Sequence, residues 1–462
     1  MTCKIRVILC FSAFLCLLGG VSAAEKEIQW NSFRKHLGLN VADSTLVEVL
    51  GGIQRETGWQ VRLQPGLNRP VSVKFKPKPL DEALQFLLGD LRYTLIARPG
   101  EPGKLEVHQG NAIAETEPMA EPVPKPKIAA NQLAVIFRPG QDAAALAKRF
   151  NADLLGFIKI ANVAQLKFTD PRAMAAARQA MAELGVTDII DDVHLYPRPA
   201  TPILVAGGAG VLPISVRPEE VDTKGQLIIG LIDTAVQPAG LDQPGFLLPA
   251  LSMAGPFTPP DHSPTHGTSM AGTILRGLAN KDLGVQNSPV RILPVDVFGA
   301  NANANSFNIA NGITEAVNNG ATIINLSLGS YQAGSLLQRI IATHHNNGVL
   351  FVGAAGNEPV TTPHFPAAHP EVMAVTATRP NGELTAYANR GNFIDVAARG
   401  THPVRFGKRT YAITGTSASS AYVSGLAAGL ASAHGKKPRE IRELIIENRP
   451  FVPPKPKEEK KN

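Results

Sequence analysis

The spacing of apolar positions changes several times along the chain, and each change outlines a module. Leu46, Val49, Leu50 and Ile53 fall on one face of a 3.6-residue repeat, and Thr45 with Glu48 three positions later forms a capping box that starts the helix. Val71, Val73 and Phe75 then alternate with polar residues as in a half-buried strand, and Leu80, Ala83, Leu84 and Leu87 restore the helical stripe. Residues 28–110 therefore predict a small α+β module in the order helix, strand, strand, helix, hairpin. Periodicity is lost across residues 111–128, where Glu-Pro-Met-Ala-Glu-Pro-Val-Pro-Lys-Pro-Lys has the composition of a proline-stiffened linker. Residues 129–198 read β-α-β-β-α-β, with apolar strands near 133–137, 163–168 and 189–195 and helices at 143–150 and 172–184, the pattern of a ferredoxin-like module.

From residue 214 to 448 longer apolar runs alternate with helical stripes. Residues 226–232 form a continuous apolar run that ends on Asp233, as expected of a strand covered on both faces. The predicted fold class is α/β, a mostly parallel sheet with helices on both faces, preceded by the two small α+β modules. In sheets of this kind the functional side chains gather at the carboxyl ends of the strands. Residues 449–462 mix Lys, Glu and Pro and predict a charged, disordered tail.

Composition sets the compartment. With 462 residues and 44% hydrophobic content, the chain is long enough for about three domains with buried cores. Residues 1–23 carry Lys4 and Arg6, an apolar run at 7–18 and the small-residue ending Val21-Ser-Ala23, the layout of an export signal and too short for a stable membrane span. The three cysteines, Cys3, Cys10 and Cys16, all lie inside it, so the exported chain is expected to hold no disulfide and no reactive thiol. The expected location is periplasmic or secreted. A net charge of +7 is spread along the chain without a basic patch interleaved with aromatics, which argues against a nucleic-acid partner.

Three segments carry an acid, a base and a nucleophile: Ile-Gly-Leu-Ile-Asp233-Thr, Thr-His266-Gly-Thr-Ser and Thr-Gly-Thr-Ser417-Ala. A serine hydroxyl is a weak nucleophile until an imidazole takes its proton, and the imidazole needs a carboxylate to orient it and to stabilise its charged form. Each residue has a bland reading of its own. Asp233 could cap a helix, His266 could line a helix start, Ser417 could be an N-cap, and Asn357 in Gly-Ala-Ala-Gly-Asn357 could close a turn. Those readings do not predict one another, whereas catalysis requires all four.

The order Asp, His, Ser and the segment Leu350-Phe-Val-Gly-Ala-Ala-Gly-Asn357-Glu resemble the subtilisin-like serine proteases, the subtilases. The resemblance runs from about residue 225 to 433. It implies an endopeptidase in which Asp233 orients His266, His266 acts as general base, Ser417 forms an acyl-enzyme, and the Asn357 amide with the Ser417 N–H forms the oxyanion hole. Ile323-Ile-Asn-Leu-Ser327-Leu328-Gly329 resembles the family segment that pairs with substrate backbone, so protein or peptide substrates are the implied partners. By its position, the module at 129–198 resembles the family's propeptide, which would make the chain's own propeptide a further partner. The stretch Pro197 to Pro213, rich in Pro and Gly, is suited to being cut, with the bond expected between Ile203 and Leu212. The module at 28–110 resembles the short N-terminal domain of secretins and TonB-dependent receptors, which implies an envelope protein as partner.

Four positions depart from the resembled pattern: Ala235 stands where Gly is usual, Ala421 where Pro is usual, and Ser269 and Tyr422 where His is frequent. No metal ligand set is predicted. His262 and His266 are four apart, but Pro264 between them opposes a shared helix. Residues 280–285 stand where a family calcium loop occurs, with Lys281 and few oxygen donors weighing against it, so no cofactor is expected and calcium stays an open alternative. The competing function is a catalytically silent envelope adaptor that binds peptide or a secretion or transport complex, and a displaced triad would favour it.

Overall fold

The computed structural model describes residues 27–448 apart from 32–35, 58, 65–66, 68, 97–103, 110–116, 119–126, 206–212 and 223–224. The segments predicted as export signal and charged tail, and most of the predicted linker, lie outside the described residues. The chain divides into two units, Met1–Pro122 and Val123–Asn462.

In the first unit the helices Leu46–Thr57 and Leu80–Leu88 bury the stripes that the sequence marks, and Leu46, Leu50, Ile53, Ala83 and Leu84 are fully enclosed. The capping box is formed in both directions: Thr45 N donates to Glu48 Oε2 at 3.2 Å, and Glu48 N donates to Thr45 Oγ1 at 3.3 Å. Two strands that the sequence pattern had not marked, Glu27–Asn31 and His36–Thr45, precede this helix. Leu37, Leu39 and Val41 do alternate inward, but Gly38, Asn40 and Asp43 between and after them are poor strand formers and mask the period. His36–Thr45 pairs antiparallel with both Glu27–Asn31 and Pro70–Pro79, and the predicted hairpin Arg92–Ile96 and Lys104–His108 joins Gln60–Leu63 in a second sheet.

The second unit begins with the β-α-β-β-α-β module. Its antiparallel strands run in the order Thr187–Pro197, Ile128–Phe137, Val163–Lys167, Asp153–Ile158. One face, with Leu133, Val135 and Phe137, is covered by the module's own helices through Leu146 and Met181. The other, with Ala134, Ile136 and Val193, shares a core with Ile309, Ile313, Leu337 and Ile340 of the helices Ser306–Asn318 and Ser335–Asn346. Asp191 seals this junction. Its Oδ2 accepts from Leu336 N at 3.0 Å in the first turn of a helix, where the dipole favours an anion. Burial pushes the Asp191 carboxyl up, but the hydrogen bonds from His194 and Leu336 outweigh it and hold it below the usual carboxylate range.

The seven-stranded sheet is parallel throughout, in the order Leu251–Ser252, Val290–Asp296, Leu227–Asp233, Ala321–Leu326, Leu350–Ala354, Val372–Thr378, Val396–Arg399. In Leu227–Asp233, Ile229 and Leu231 face the core that holds the helices His266–Leu278 and Thr416–His434, while Ile228 and Ile232 face the core on the other side. Two-sided burial is why that strand is a continuous apolar run instead of an alternating one.

The helices His266–Leu278 and Thr416–His434 touch backbone to backbone. A Cβ on Gly277 would lie 2.0 Å from Tyr422 O, and one on Gly425 would lie 1.9 Å from Ile274 O. The small residues of the second helix therefore set how close it comes to the first, and with it the approach of Ser417 to His266. Gly425→Ala is expected to cost about 3 kcal/mol of stability through this overlap. A urea midpoint unchanged from the parent chain would refute that packing account.

Candidate active site

Asp233 ends its strand fully buried, and Thr234 N donates to its Oδ1 at 2.6 Å. Thr234 Oγ1 in turn accepts from Gly267 N at 2.8 Å, which ties the aspartate turn to the start of the histidine helix. That helix begins at His266 because Thr265 caps it, its Oγ1 accepting from Thr268 N at 3.1 Å. His266 is 3% exposed, and its Nδ1 lies 2.8 Å from Asp233 Oδ1 and 2.9 Å from Oδ2. Both Asp233 oxygens face Nδ1, and since a carboxylate can only accept, the neutral imidazole carries its proton there and leaves Nε2 as the acceptor. His262 lies before the helix and does not share its first turn.

Gln237, which the motif reading passed over, fastens this pair. Its Oε1 accepts from Thr265 N at 2.7 Å and from Thr268 Oγ1 at 2.8 Å, its own N donates to Thr268 Oγ1 at 2.9 Å, and its Nε2 donates to Pro260 O at 2.6 Å and Ser263 O at 3.1 Å. Ala235 is tolerated in the aspartate turn because that turn does not place it at positive φ, and its carbonyl accepts from Thr265 Oγ1 at 2.6 Å.

Ser417 is the second residue of the helix Thr416–His434, half-buried and reachable, with its N–H in the first turn where helical amides have no intrahelical acceptor. Its Oγ donates to Ser327 O at 3.1 Å, and among the described residues no hydrogen bond joins it to His266. Catalytic hydrogen bonds often tighten only when substrate is bound. Beneath Ser417 runs a buried polar spine. Asn325 Nδ2 donates to Ser327 Oγ at 2.8 Å, Ser327 Oγ and Ser420 Oγ donate to Ser417 O at 3.0 Å each, and Ser424 Oγ donates to Asn325 Oδ1 at 3.0 Å. Ser327 thus has two roles, its side chain holding the nucleophile helix and its carbonyl holding the nucleophile hydroxyl. Leu328 and Gly329 follow it, with Gly329 against the His364 ring.

Asn357 stands exposed after the strand Leu350–Ala354. Its Oδ1 accepts from Thr416 N at 2.8 Å and Thr416 Oγ1 at 3.1 Å, while Gly356 N donates to Thr416 Oγ1 at 3.0 Å. With the oxygen engaged on one side, the amide Nδ2 is left on the other. The backbone there requires glycine: Gly415 has φ +146°, and a Cβ on it would lie 3.0 Å from Asn357 Nδ2.

The other positions of interest have structural partners. Tyr422 stacks on His402 with ring centroids 5.0 Å apart, and its hydroxyl accepts from Asn280 Nδ2 at 2.9 Å. Asn280 Oδ1 accepts from Asp282 N at 2.9 Å, so that side chain is committed within its own loop. Ser269 Oγ donates to Thr265 O at 2.9 Å, and Ala421 is fully buried.

Burial pushes the His402 imidazole down to about 4, and the same cause takes His364 to about 4. A depressed histidine means that the unfolded chain binds the proton first, so this contribution is complete above pH ~6.5 and is lost as pH falls toward 4. For the buried His402 the gap corresponds to about 3 kcal/mol. Stability is therefore expected to drop steeply between pH 6.5 and 4, and the His402→Gln chain is expected to drop less. Identical urea midpoints against pH for the two would contradict this.

The model of the subtilase family matches residues 224–460. Thermitase of Thermoactinomyces vulgaris is 33% identical over 225 residues, covering 47% of this chain and 78% of thermitase. A thermostable alkaline protease of Halalkalibacterium halodurans is 33% identical over 192 residues, covering 40% of this chain, which spans only 53% of that relative. Among solved structures, fervidolysin from Fervidobacterium pennivorans, a keratinolytic enzyme related to subtilisin, superposes with a TM-score of 0.55 at 18% identity, over 69% of this chain and 57% of its own. That likeness is one of fold, and it covers more of the chain than the family model does.

Proposed function

Because the chain belongs to the subtilase family of serine endopeptidases, we propose that it hydrolyses peptide bonds through Ser417, with His266 as general base, Asp233 as its orienting carboxylate, and the Asn357 amide with the Ser417 N–H as the oxyanion hole. The observation that supports this reading is the enclosed Asp233–His266 pair, together with a half-buried serine on a helix that packs closely against the histidine helix and whose first turn also fastens Asn357. In the step proposed, Ser417 Oγ turns from Ser327 O toward His266, gives its proton to Nε2 and attacks the carbonyl carbon. The developing oxyanion is then met by Asn357 and the helix N-terminus. The protonated imidazole passes its proton to the leaving amine, and water hydrolyses the acyl-enzyme by the same relay in reverse. Ser327, Leu328 and Gly329 would line the path of the substrate chain.

The module at 129–198 is read as a propeptide, supported by its shared core with the helices Ser306–Asn318 and Ser335–Asn346 and by a fold likeness that extends beyond residues 224–460. The chain would then be exported as a precursor, with the 28–110 module engaging an envelope protein. N-terminal sequencing of the active protein beside its Ser417→Ala form tests maturation: a shortened chain only where Ser417 is intact supports it, and an active full-length chain contradicts it. The adaptor reading is excluded by casein hydrolysis that depends on Ser417 and restored by its absence.

A further inference from the structure

Residues 195–204 run between two strand anchors. Leu195, Tyr196 and Pro197 pair antiparallel with Asn305, Ala304 and Asn303, and Arg198 N donates to Ala302 O at 2.9 Å. Five residues on, Ile203 and Leu204 pair with Ala412 and Tyr411 of the strand Arg409–Thr414, which leads directly into Gly415, Thr416 and Ser417. Pro199, Ala200, Thr201 and Pro202 therefore span the gap between a strand edge and the strand that delivers the nucleophile. The faces of this segment are not equivalent. Tyr196 is fully buried, and Arg198, two residues later on an extended chain, points the same way.

The Arg198 guanidinium is held from several sides. Its Nη2 donates to Gly299 O at 2.6 Å and Asn301 O at 2.8 Å, and its Nε donates to Asn301 O at 3.0 Å. The group lies 5.2 Å from the centroid of the buried Phe298 ring and 5.9 Å from that of the half-buried Phe257. Behind it, Asp296 uses one carboxyl oxygen to accept from Phe298 N and Gly299 N at 2.9 Å each, which shapes the loop that presents those carbonyls. Burial raises the Asp296 carboxyl, and the Arg198 charge works against that rise. Carbonyl oxygens, aromatic faces and a nearby carboxyl suit a planar cation with several donors.

We propose that this is a substrate subsite for arginine. Residues 296–301 with Phe257 select polypeptides carrying a guanidinium on the third residue before the cleaved bond, and Arg198 fills the same site when the chain cuts itself between Ala200 and Thr201. The inference rests on the peptidase reading above. The bond follows from position: Arg198–Pro199 and Thr201–Pro202 are imides whose rings crowd the attacked group, and of the two amides between them Ala200–Thr201 is the central bond between the anchors. This lies upstream of residues 203–212, where the sequence alone favours the cut.

The test uses the full chain and three peptides of the sequence Leu-Tyr-Pro-Xaa-Pro-Ala-Thr-Pro-Ile-Leu, with Xaa as arginine, lysine or norleucine, and mass spectrometry of the products. Cleavage between Ala and Thr, dependent on Ser417 and faster for arginine than norleucine by about 10-fold in kcat/KM, with lysine between them, is expected. Phe257→Leu is expected to shrink the ratio of arginine to norleucine rates about threefold. Equal rates for the three peptides, or cleavage at another bond, overturn the subsite and leave the peptidase reading standing. No Ser417-dependent cleavage of any peptide overturns both.

Discussion

The Ser417→Ala chain is expected to lose peptidase activity by a factor of roughly 10⁶ in kcat, the loss measured for the equivalent serine in subtilisin. The size follows from the triad acting as a unit: without the hydroxyl, the buried Asp233–His266 pair has no proton to accept and no acyl-enzyme forms. His266→Ala is expected to cost about as much, and the double variant little more than either alone. Release of labelled casein peptides measures all three. Hydrolysis at the parent rate by the Ser417→Ala chain would end the assignment.

Asn357→Ala is the next largest expected effect, a fall in kcat of roughly 10²–10³ with KM little changed, the range known for removal of such a donor in subtilisin. The split between kcat and KM is the informative part. The Asn357 amide is held by Thr416 through its oxygen, and in the proposed role its N–H groups would serve an oxyanion that exists only in the transition state and would contribute little to binding the ground state. An equal loss spread into KM would mean that Asn357 grips substrate instead. Gly415→Ala, which crowds the same amide, is expected to move kcat in the same direction without touching any atom of the triad.

The four residues proposed as acid, base, nucleophile and oxyanion donor stand out in the sequence because each sits in a short local motif, and in the structure Asp233 bonds His266 while Ser417 and Asn357 share the start of one helix. Asp233 was announced by the apolar run before it, and His266 and Ser417 by the small polar residues that start helices. What the sequence concealed depends on distant partners. Gln237 looks like any loop glutamine until its amide is seen holding Pro260, Ser263, Thr265 and Thr268, and the serines at 420 and 424 look like ordinary helix polar residues until Asn325 and Ser327 close on them. Thr416 was quoted in the nucleophile motif, but its grip on Gly356 and Asn357 needs a loop some sixty residues away. Arg198 sits in a Pro- and Gly-rich stretch that marks only a cleavable connection, since its carbonyl cage comes from residues about a hundred positions on. The strands Glu27–Asn31 and His36–Thr45 were hidden by residues with weak β preference.

The central claim is that Ser417 is an activated nucleophile in this fold, and a fluorophosphonate probe tests it most directly because it reacts only with a serine whose proton a neighbouring base removes. Incubated with the full chain, the probe is expected to label a single residue, mapped by peptide mass to Ser417, with labelling abolished in Ser417→Ala and slowed at least ~100-fold in His266→Ala. Labelling that survives the Ser417→Ala substitution, or equal labelling rates with and without His266, would contradict the account.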